Sequence, residues 1–289
     1  MAAKANLVVG QSGGPTAVIN NSLVGIVHQA LSQEEIGGIY GMLHGIAGVL
    51  NEDFIDLRQE ASGTLELLRY TPASALGTVR YRVKEDDYDR LIDVLQKYEI
   101  RYFFYIGGND SMDTTYKISQ AAKARNYELC AVGVPKTIDN DLAKTDHCPG
   151  YGSAARFVAT AIRNTGYDTE AMGESGPIKL MEVMGRNAGW LTAASALAKS
   201  QQADPPHLVY VPERGVSREQ ILSDVESTLD RYGFCVAAIS EGLKDDEGQE
   251  FGANIGPQAV DAFGHKAKGG VVEAVAGLIR SELGIRARF

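Results

Sequence analysis

The chain has 289 residues, 44% of them apolar and 22% charged, a composition that suits a soluble globular protein long enough to bury a sizeable core. Its formal net charge of -9 argues against a nucleic-acid surface, although a few Lys and Arg side chains can still build a local site for an anionic substrate. No membrane-length apolar span occurs, and the three scattered cysteines, Cys130, Cys148 and Cys235, fit a reducing compartment, so a cytoplasmic protein with neither a nucleic-acid nor a membrane partner is expected.

Residues 5–9 predict a strand, the stretch from Gly10 to Pro15 a glycine-rich turn, and residues 18–31 a helix, from the spacing of their apolar residues. Such a unit can wrap backbone N–H groups around a phosphate, with glycines letting the main chain approach closely. The spacing fits neither the dinucleotide-binding nor the Walker glycine pattern, and a plain structural turn explains it equally well. Strands over 36–40 and 54–57 and a helix over 64–69 follow. Arg80, Arg82 and Lys84 then recur at every second position. In an extended chain that spacing aims three cations at one face, either as a seat for a multiply charged anion or as a solvated basic edge.

A helix over 86–98 and an apolar strand over 102–106 lead into Gly107-Gly108-Asn109-Asp110-Ser111 and a further helix to residue 124. Asp110 or Ser111 can act there as a helix cap or as part of a second phosphate-binding turn. The apolar run 129–134 predicts a buried strand. Just beyond its carboxyl end, where open α/β sheets hold ligands, Pro135-Lys136-Thr137-Ile138-Asp139-Asn140-Asp141 sets an amine, a hydroxyl and two carboxylates. Neighbouring carboxylates repel unless a cation or a substrate proton is close. A solvated Asx turn is the alternative reading.

The second half predicts a helix over 153–165 and a strand over 178–184 that ends in Met184-Gly185-Arg186, then an alanine-rich helix to residue 199. After it come a strand over 207–211, a helix over 217–232, a strand over 235–239 that runs into Ser240-Glu241-Gly242, and a last helix over 270–283. Strands alternate with helices throughout, which predicts an α/β protein: two Rossmann-like domains with mostly parallel sheets flanked by helices. A polar, proline-containing loop at 142–150 places the expected boundary between residues 1–145 and 146–289. His28, His44, His147, His207 and His265 have no metal-ligand spacing and are read as surface or satisfied core residues.

Ser12-Gly13-Gly14, Gly107-Gly108-Asn109-Asp110-Ser111, Pro135 to Asp141 and Met184-Gly185-Arg186, in this order, resemble the 6-phosphofructokinase family from about residue 6 to the end of the chain. The resemblance implies phosphoryl transfer to the 1-hydroxyl of fructose 6-phosphate with Mg2+ as cofactor. It makes Asp139 the general base, with Thr137 and Asp141 holding substrate or metal beside it. Met184, Gly185 and Arg186 resemble the sugar-phosphate contacts, Glu241 the carboxylate on the sugar hydroxyls, and Arg80 the arginine facing the transferred phosphoryl group. Gly13, Gly14, Gly108, Asp110, Ser111 and Lys136 fall on the donor side. A homodimer or homotetramer with sites shared across an interface is implied by analogy.

The ATP-dependent members resemble one another in carrying glycine where this chain has Asp110 and Lys136. An aspartate there crowds and repels a nucleotide α-phosphate, whereas a lysine reaches a small doubly charged donor as a point cation. The pair resembles the pyrophosphate-dependent branch, whose reaction is reversible and belongs to glycolysis and gluconeogenesis. Three positions depart from the family pattern. Asn109 replaces a magnesium-binding aspartate, which shifts metal ligation to Asp110 or Asp141. Pro177 stands where a cross-subunit arginine is expected, so either Lys179 replaces it or the contact is missing. The chain also stops near Arg286 and Arg288, either of which matches the first of several sugar-phosphate cations, so a C-terminally truncated chain is expected. The alternatives are an ATP-dependent 6-phosphofructokinase and a non-catalytic subunit that binds sugar phosphate or pyrophosphate.

Overall fold

A computed structural model of the chain describes residues 4–252 and 270–289, and His265 lies outside them. Contacts divide the chain into two compact units, Met1–Thr137 and Ile138–Phe289.

The first unit is built on five strands: β1 (Ala5–Gln11), β2 (Ile36–Met42), β3 (Phe54–Asp56), β4 (Ile100–Gly107) and β5 (Cys130–Pro135). Their order is β3-β2-β1-β4-β5, with β1, β2, β4 and β5 parallel and β3 antiparallel to β2. Five helices accompany them: α1 (Ile19–Leu31), α2 (Ile46–Asn51), α3 (Ser62–Leu68), α4 (Asp87–Lys97) and α5 (Asn109–Ala124). Alternate residues of each strand point to opposite faces, so the sheet has two cores. On one face Leu7, Val9, Ile39 and Ile106 pack with Ile19, Leu23 and Val27 of α1 and Leu65 of α3. On the other, Val8, Met42, Phe103 and Tyr105 pack with α2, α4 and Ile118 of α5.

The second unit holds a parallel sheet of order β7-β8-β6-β9, from β6 (Ile178–Val183), β7 (Leu208–Tyr210), β8 (Cys235–Ser240) and β9 (Ala287–Arg288). All six residues of β8 are buried, as a parallel strand covered on both faces requires. Val236 and Ala238 face a layer formed by α6 (Tyr151–Met172) and the short α7 (Trp190–Ala193). Cys235, Ala237 and Ile239 face α8 (Arg218–Tyr232) and α9 (Val271–Leu283). In that dry layer burial pushes the Cys235 thiol up to about 12, so it packs as an inert apolar group.

The α/β expectation holds. The division falls after Thr137 rather than at residue 145, and the cause is local. Ile138 joins the α6 core, and the Asn140 side chain binds Asp146 O and the Cys148 N–H, which ties 138–148 to the second unit. The predicted alanine-rich helix to residue 199 is one turn, α7, followed by a 3-10 stretch at Ala194–Ala198. The helix expected over 153–165 runs on to Met172, because Ile162, Gly166 and Thr169 continue its buried stripe.

Candidate active site

Three turns follow the carboxyl ends of β1, β4 and β5, and backbone hydrogen bonds stitch them together. The Ser12 N–H donates to Ile106 O at 2.8 Å, and the Lys136 N–H donates to Gly107 O at 2.8 Å. Strand order reverses between β1 and β4, the position at which open α/β sheets bind ligands. Gly13 adopts φ +73, which favours glycine, and a Cβ built on it would lie 3.1 Å from the Lys136 Nζ. Lys136 is 5% exposed, so its ammonium is held over the first glycine turn rather than in bulk water. At Gly107 a Cβ would collide with the Ser111 side chain and come within 3.3 Å of Ser12 Cβ, so glycine is what lets the β1 and β4 turns close up.

Gly108 is the N-terminal cap of α5, and Asp110 sits exposed in that helix's first turn, with Ser111 buried behind it. Negative charge is favoured at the N-terminal end of a helix, so Asp110 occupies a place to which any other anion would also be drawn. The structure therefore brings Gly13, Gly108, Asp110, Ser111 and Lys136 to one edge of the first sheet, with Gly14 exposed in the β1 turn. The chain leading to Arg80 passes the same edge on the β2 side, where a Cβ on Gly45 would meet both the Gln11 carbonyl oxygen and the Val79 side chain. The Arg80 loop is pinned by the His44 N–H, which donates to Leu76 O at 2.8 Å just beyond β2. Residues 77–84 form no regular element, but exposure alternates as expected: Arg80, Arg82 and Lys84 are exposed while Tyr81 and Val83 pack on the α4 side of the sheet.

In the second unit Asp139 and Asp141 flank Asn140, which is 7% exposed and has φ 57, in the left-handed region. Its Oδ1 accepts from the Cys148 N–H at 2.8 Å, and its Nδ2 donates to Asp146 O at 3.1 Å. A residue with both side-chain polar atoms used by its own loop fixes the loop, and the carboxylates on either side are held with it. Thr137, the last residue of the first unit, directly precedes this loop.

A second cluster caps β6 and β8. Glu241 Oε1 accepts from the Gly185 N–H at 3.3 Å, and the Ser240 hydroxyl donates to Gly185 O at 2.8 Å while accepting from the Gly242 N–H at 3.1 Å. Gly185 has φ +122, and a Cβ on Gly242 would collide with the Arg186 carbonyl oxygen. Met184 stands 58% exposed beside them. Met184, Gly185, Arg186 and Glu241 thus lie together at the carboxyl ends of β6 and β8, where Met184 is an exposed apolar side chain beside polar groups. The structure does not bring Arg288 to this cluster. Arg288 lies on β9 in register with Lys179, at the amino end of β6, and its guanidinium binds Asp168 Oδ2 at 3.0 Å. Lys179 shares that far edge, and at about 3.3 Å per residue Met184 stands roughly 16 Å along the strand.

Sequence reasoning missed the residues that hold these turns. Tyr105, 3% exposed, accepts from the Ile46 N–H at 3.2 Å and bonds Ser12, and its burial raises the phenol pKa so that it stays neutral. Asn140, Ser240, Gln11 and Asn20 act similarly. Only Asn140 carried a signal, as an Asn between two Asp in a turn. Among the described residues no group of three or more His, Cys, Asp or Glu side chains is arranged to hold a metal, and no helix is long and apolar enough to cross a membrane.

The phosphofructokinase family model matches residues 6–288. A Halomonas elongata protein named pyrophosphate--fructose 6-phosphate 1-phosphotransferase is 43% identical over 291 residues, covering 98% of this chain and 69% of that protein. An Alkalicoccus urumqiensis protein named sulfofructose kinase is 34% identical over 282 residues, covering 98% of this chain and 71% of its own length. The crystal structure of pyrophosphate-dependent phosphofructokinase from Marinobacter aquaeolei superposes with a TM-score of 0.84 at 38% identity, over 98% of this chain and 67% of the other.

Proposed function

We propose, for a chain that belongs to the phosphofructokinase family, that it transfers a phosphoryl group from pyrophosphate to the 1-hydroxyl of fructose 6-phosphate, giving fructose 1,6-bisphosphate and phosphate. One observation carries the choice of donor. The Lys136 ammonium is buried over the Gly13 turn, at the point where the sheet's strand order reverses. There a compact cation serves a small, densely charged anion, and the Asp110 carboxylate across the turn at α5 disfavours the longer polyphosphate of a nucleotide.

The chemistry asks for alignment and charge neutralisation rather than covalent help. Gly13, Gly14, Gly108 and Ser111 offer backbone N–H groups and a hydroxyl to the donor, and Lys136 and Arg80 offset its charge. Asp139 accepts the proton of the sugar 1-hydroxyl as that oxygen bonds to the terminal phosphorus. The phosphorus bond to the bridging oxygen breaks in the same step, and phosphate leaves. Thr137 and Asp141 hold the acceptor beside the base, Met184, Gly185 and Arg186 hold its 6-phosphate, and Glu241 binds its hydroxyls. The oxygen-donor set fits magnesium, which keeps several waters and binds through one or two carboxylates together with substrate phosphate. Asp110 or Asp141 would hold it, and when bound it would supply charge neutralisation on the diphosphate.

Arg288 and Lys179, at the far end of β6, have no part in the site of their own copy in this reading. They are available to a neighbouring copy in a homodimer or homotetramer. The test is turnover of fructose 6-phosphate with pyrophosphate and, separately, with ATP. Sulfofructose is the second acceptor to assay, because a relative at 34% identity bears that name. Turnover with pyrophosphate and fructose 6-phosphate is expected. Turnover with ATP alone would replace this reading by the ATP-dependent one, and ligand binding without turnover would favour a binding subunit.

A further inference from the structure

Beneath the β1 turn lies a buried polar pair that phosphate binding does not use. Gln11, the last residue of β1, is 0% exposed, and Asn20, in the first turn of α1, is 2% exposed. Gln11 Nε2 donates to Asn20 Oδ1 at 2.9 Å and to Ile19 O at 3.2 Å. The pair's other polar atoms reach out of the β1–α1 unit to one distant loop. Gln11 Oε1 accepts from the Leu76 N–H at 2.9 Å, Asn20 Oδ1 accepts from the Ala75 N–H at 3.0 Å, and Asn20 Nδ2 donates to Thr71 O at 2.9 Å.

Two amides in a core cost stability unless every polar atom finds a partner, and here the partners come from residues 71–76. The loop needs such a hold. Ala73 adopts φ 68, a left-handed conformation that costs a residue with a side chain roughly 1 kcal/mol, and Asn20 clamps the chain on both sides of it, at Thr71 and Ala75. Past the clamp, Leu76 is buried, and its carbonyl accepts from the His44 N–H. Gly77 then turns at φ +71, where a Cβ would come within 2.7 Å of the His44 ring, and the chain runs straight into Thr78, Val79 and Arg80. Val79 packs into the core beside Gly45. The path from Gln11 and Asn20 to Arg80 is therefore short and braced. The residue that ends β1 and starts the Gly13 turn also fixes the loop that delivers Arg80.

We propose that Gln11 and Asn20 are positioning residues: they lock the 71–76 loop to the base of the Gly13 turn, and so set Arg80 relative to the donor's transferred phosphoryl group. The inference rests on the assignment of Arg80 made above. Misplacing a charge-stabilising group by about 1 Å costs up to about 10²-fold in rate without removing the group. A purely structural pair would instead affect stability and leave the chemistry of the folded fraction unchanged.

The test is a double-mutant cycle on the full protein with pyrophosphate and fructose 6-phosphate, using Asn20→Ala, Arg80→Ala and the double variant, with thermal melting to fix the folded fraction. Amide exchange at Ala75 and Leu76 is read in parallel. The expected result for Asn20→Ala is a kcat per folded enzyme lower by about 10- to 100-fold, a KM for fructose 6-phosphate changed less than about twofold, and loss of amide protection at Ala75 and Leu76. Adding Asn20→Ala to Arg80→Ala should lower kcat by less than about twofold more, because the group being positioned is gone. If Asn20→Ala does not fold, Asn20→Asp keeps the shape and the Oδ1 acceptor, removes the donor to Thr71 O, and runs the same cycle. Fully multiplicative effects, or a kcat untouched by the Asn20 change, overturn the proposal. An unchanged kcat in Arg80→Ala alone overturns the Arg80 assignment first, and this inference with it.

Discussion

At the scale of single residues, each proposed role is one that a substitution can remove. Asp139→Asn keeps the shape of the loop and takes away the proposed base, so kcat should fall about 10²- to 10⁴-fold while fructose 6-phosphate binding, read by calorimetry, stays within a fewfold. An Asp139→Asn enzyme with near-normal kcat would remove that carboxylate from the chemistry. Donor choice is assigned to two positions, Asp110 at the start of α5 and Lys136 over the Gly13 turn. Replacing both by glycine should weaken use of pyrophosphate and open the turn to ATP, read as a change in the ratio of kcat/KM for the two donors. An unchanged ratio would show that donor choice is made elsewhere.

The turns that carry these residues were legible in the sequence, because glycines and polar side chains interrupt apolar runs where strands end. Their supports were not. Gln11 closes an apolar strand, Asn20 opens an amphipathic helix, and Ser240 ends a buried strand, and each looks like an ordinary polar boundary residue until the fold brings its partner from as far as Thr71 or Gly185. Arg288 shows the converse. Its family resemblance was read from chain position, whereas parallel pairing of β9 with the start of β6 sends it to Asp168.

At the scale of elements, the loop around Asn140 and the β7–β8 pair each depend on one side chain. Asn140→Ala loses two hydrogen bonds and puts a Cβ residue without local side-chain support at φ 57. A destabilisation of about 1–3 kcal/mol is expected in urea titration, with kcat reduced as Asp139 and Asp141 loosen. Asn140→Gly, which tolerates that φ, should recover part of the stability but not the rate.

His207 staples β7 to β8. Its Nδ1 accepts from the Val236 N–H at 3.0 Å, and its ring lies against Tyr232 and Phe234. Burial lowers its pKa below the ordinary 6.5, outweighing the Ala203 carbonyl that favours the charged form, with Lys199 and Asp204 nearby acting in opposite directions. The folded state thus binds fewer protons than the unfolded chain. Its contribution is complete above the unfolded pKa near 6.5 and is lost as pH falls from there toward the depressed folded value. The urea midpoint should drop more between pH 7.5 and pH 5.5 in the natural protein than in His207→Gln, and equal drops would contradict the staple. The strands themselves were readable from apolar runs. The length of α6 and the two-residue β9 were not, because a buried helical stripe can pass through Gly166 and so short a strand carries no period.

For the molecule as a whole, a net charge of -9 is compatible with the proposed anion site because that site asks for only a few placed cations, of which Lys136 is buried. The two-unit organisation was expected from the alternation of strands and helices. Contacts divide the chain after Thr137, ahead of the polar, proline-bearing stretch that looks like a linker, and the Asn140 side chain ties that stretch to Cys148 in the second unit. The identity of the phosphoryl donor decides between the two branches of the family. It is tested most directly by fructose 1,6-bisphosphate formation from fructose 6-phosphate and Mg2+ with pyrophosphate or ATP as sole donor. Steady turnover with pyrophosphate, and at most about a hundredth of it with ATP, is the predicted result, a gap of about 2.7 kcal/mol in transition-state stabilisation. Turnover with ATP and none with pyrophosphate would contradict it.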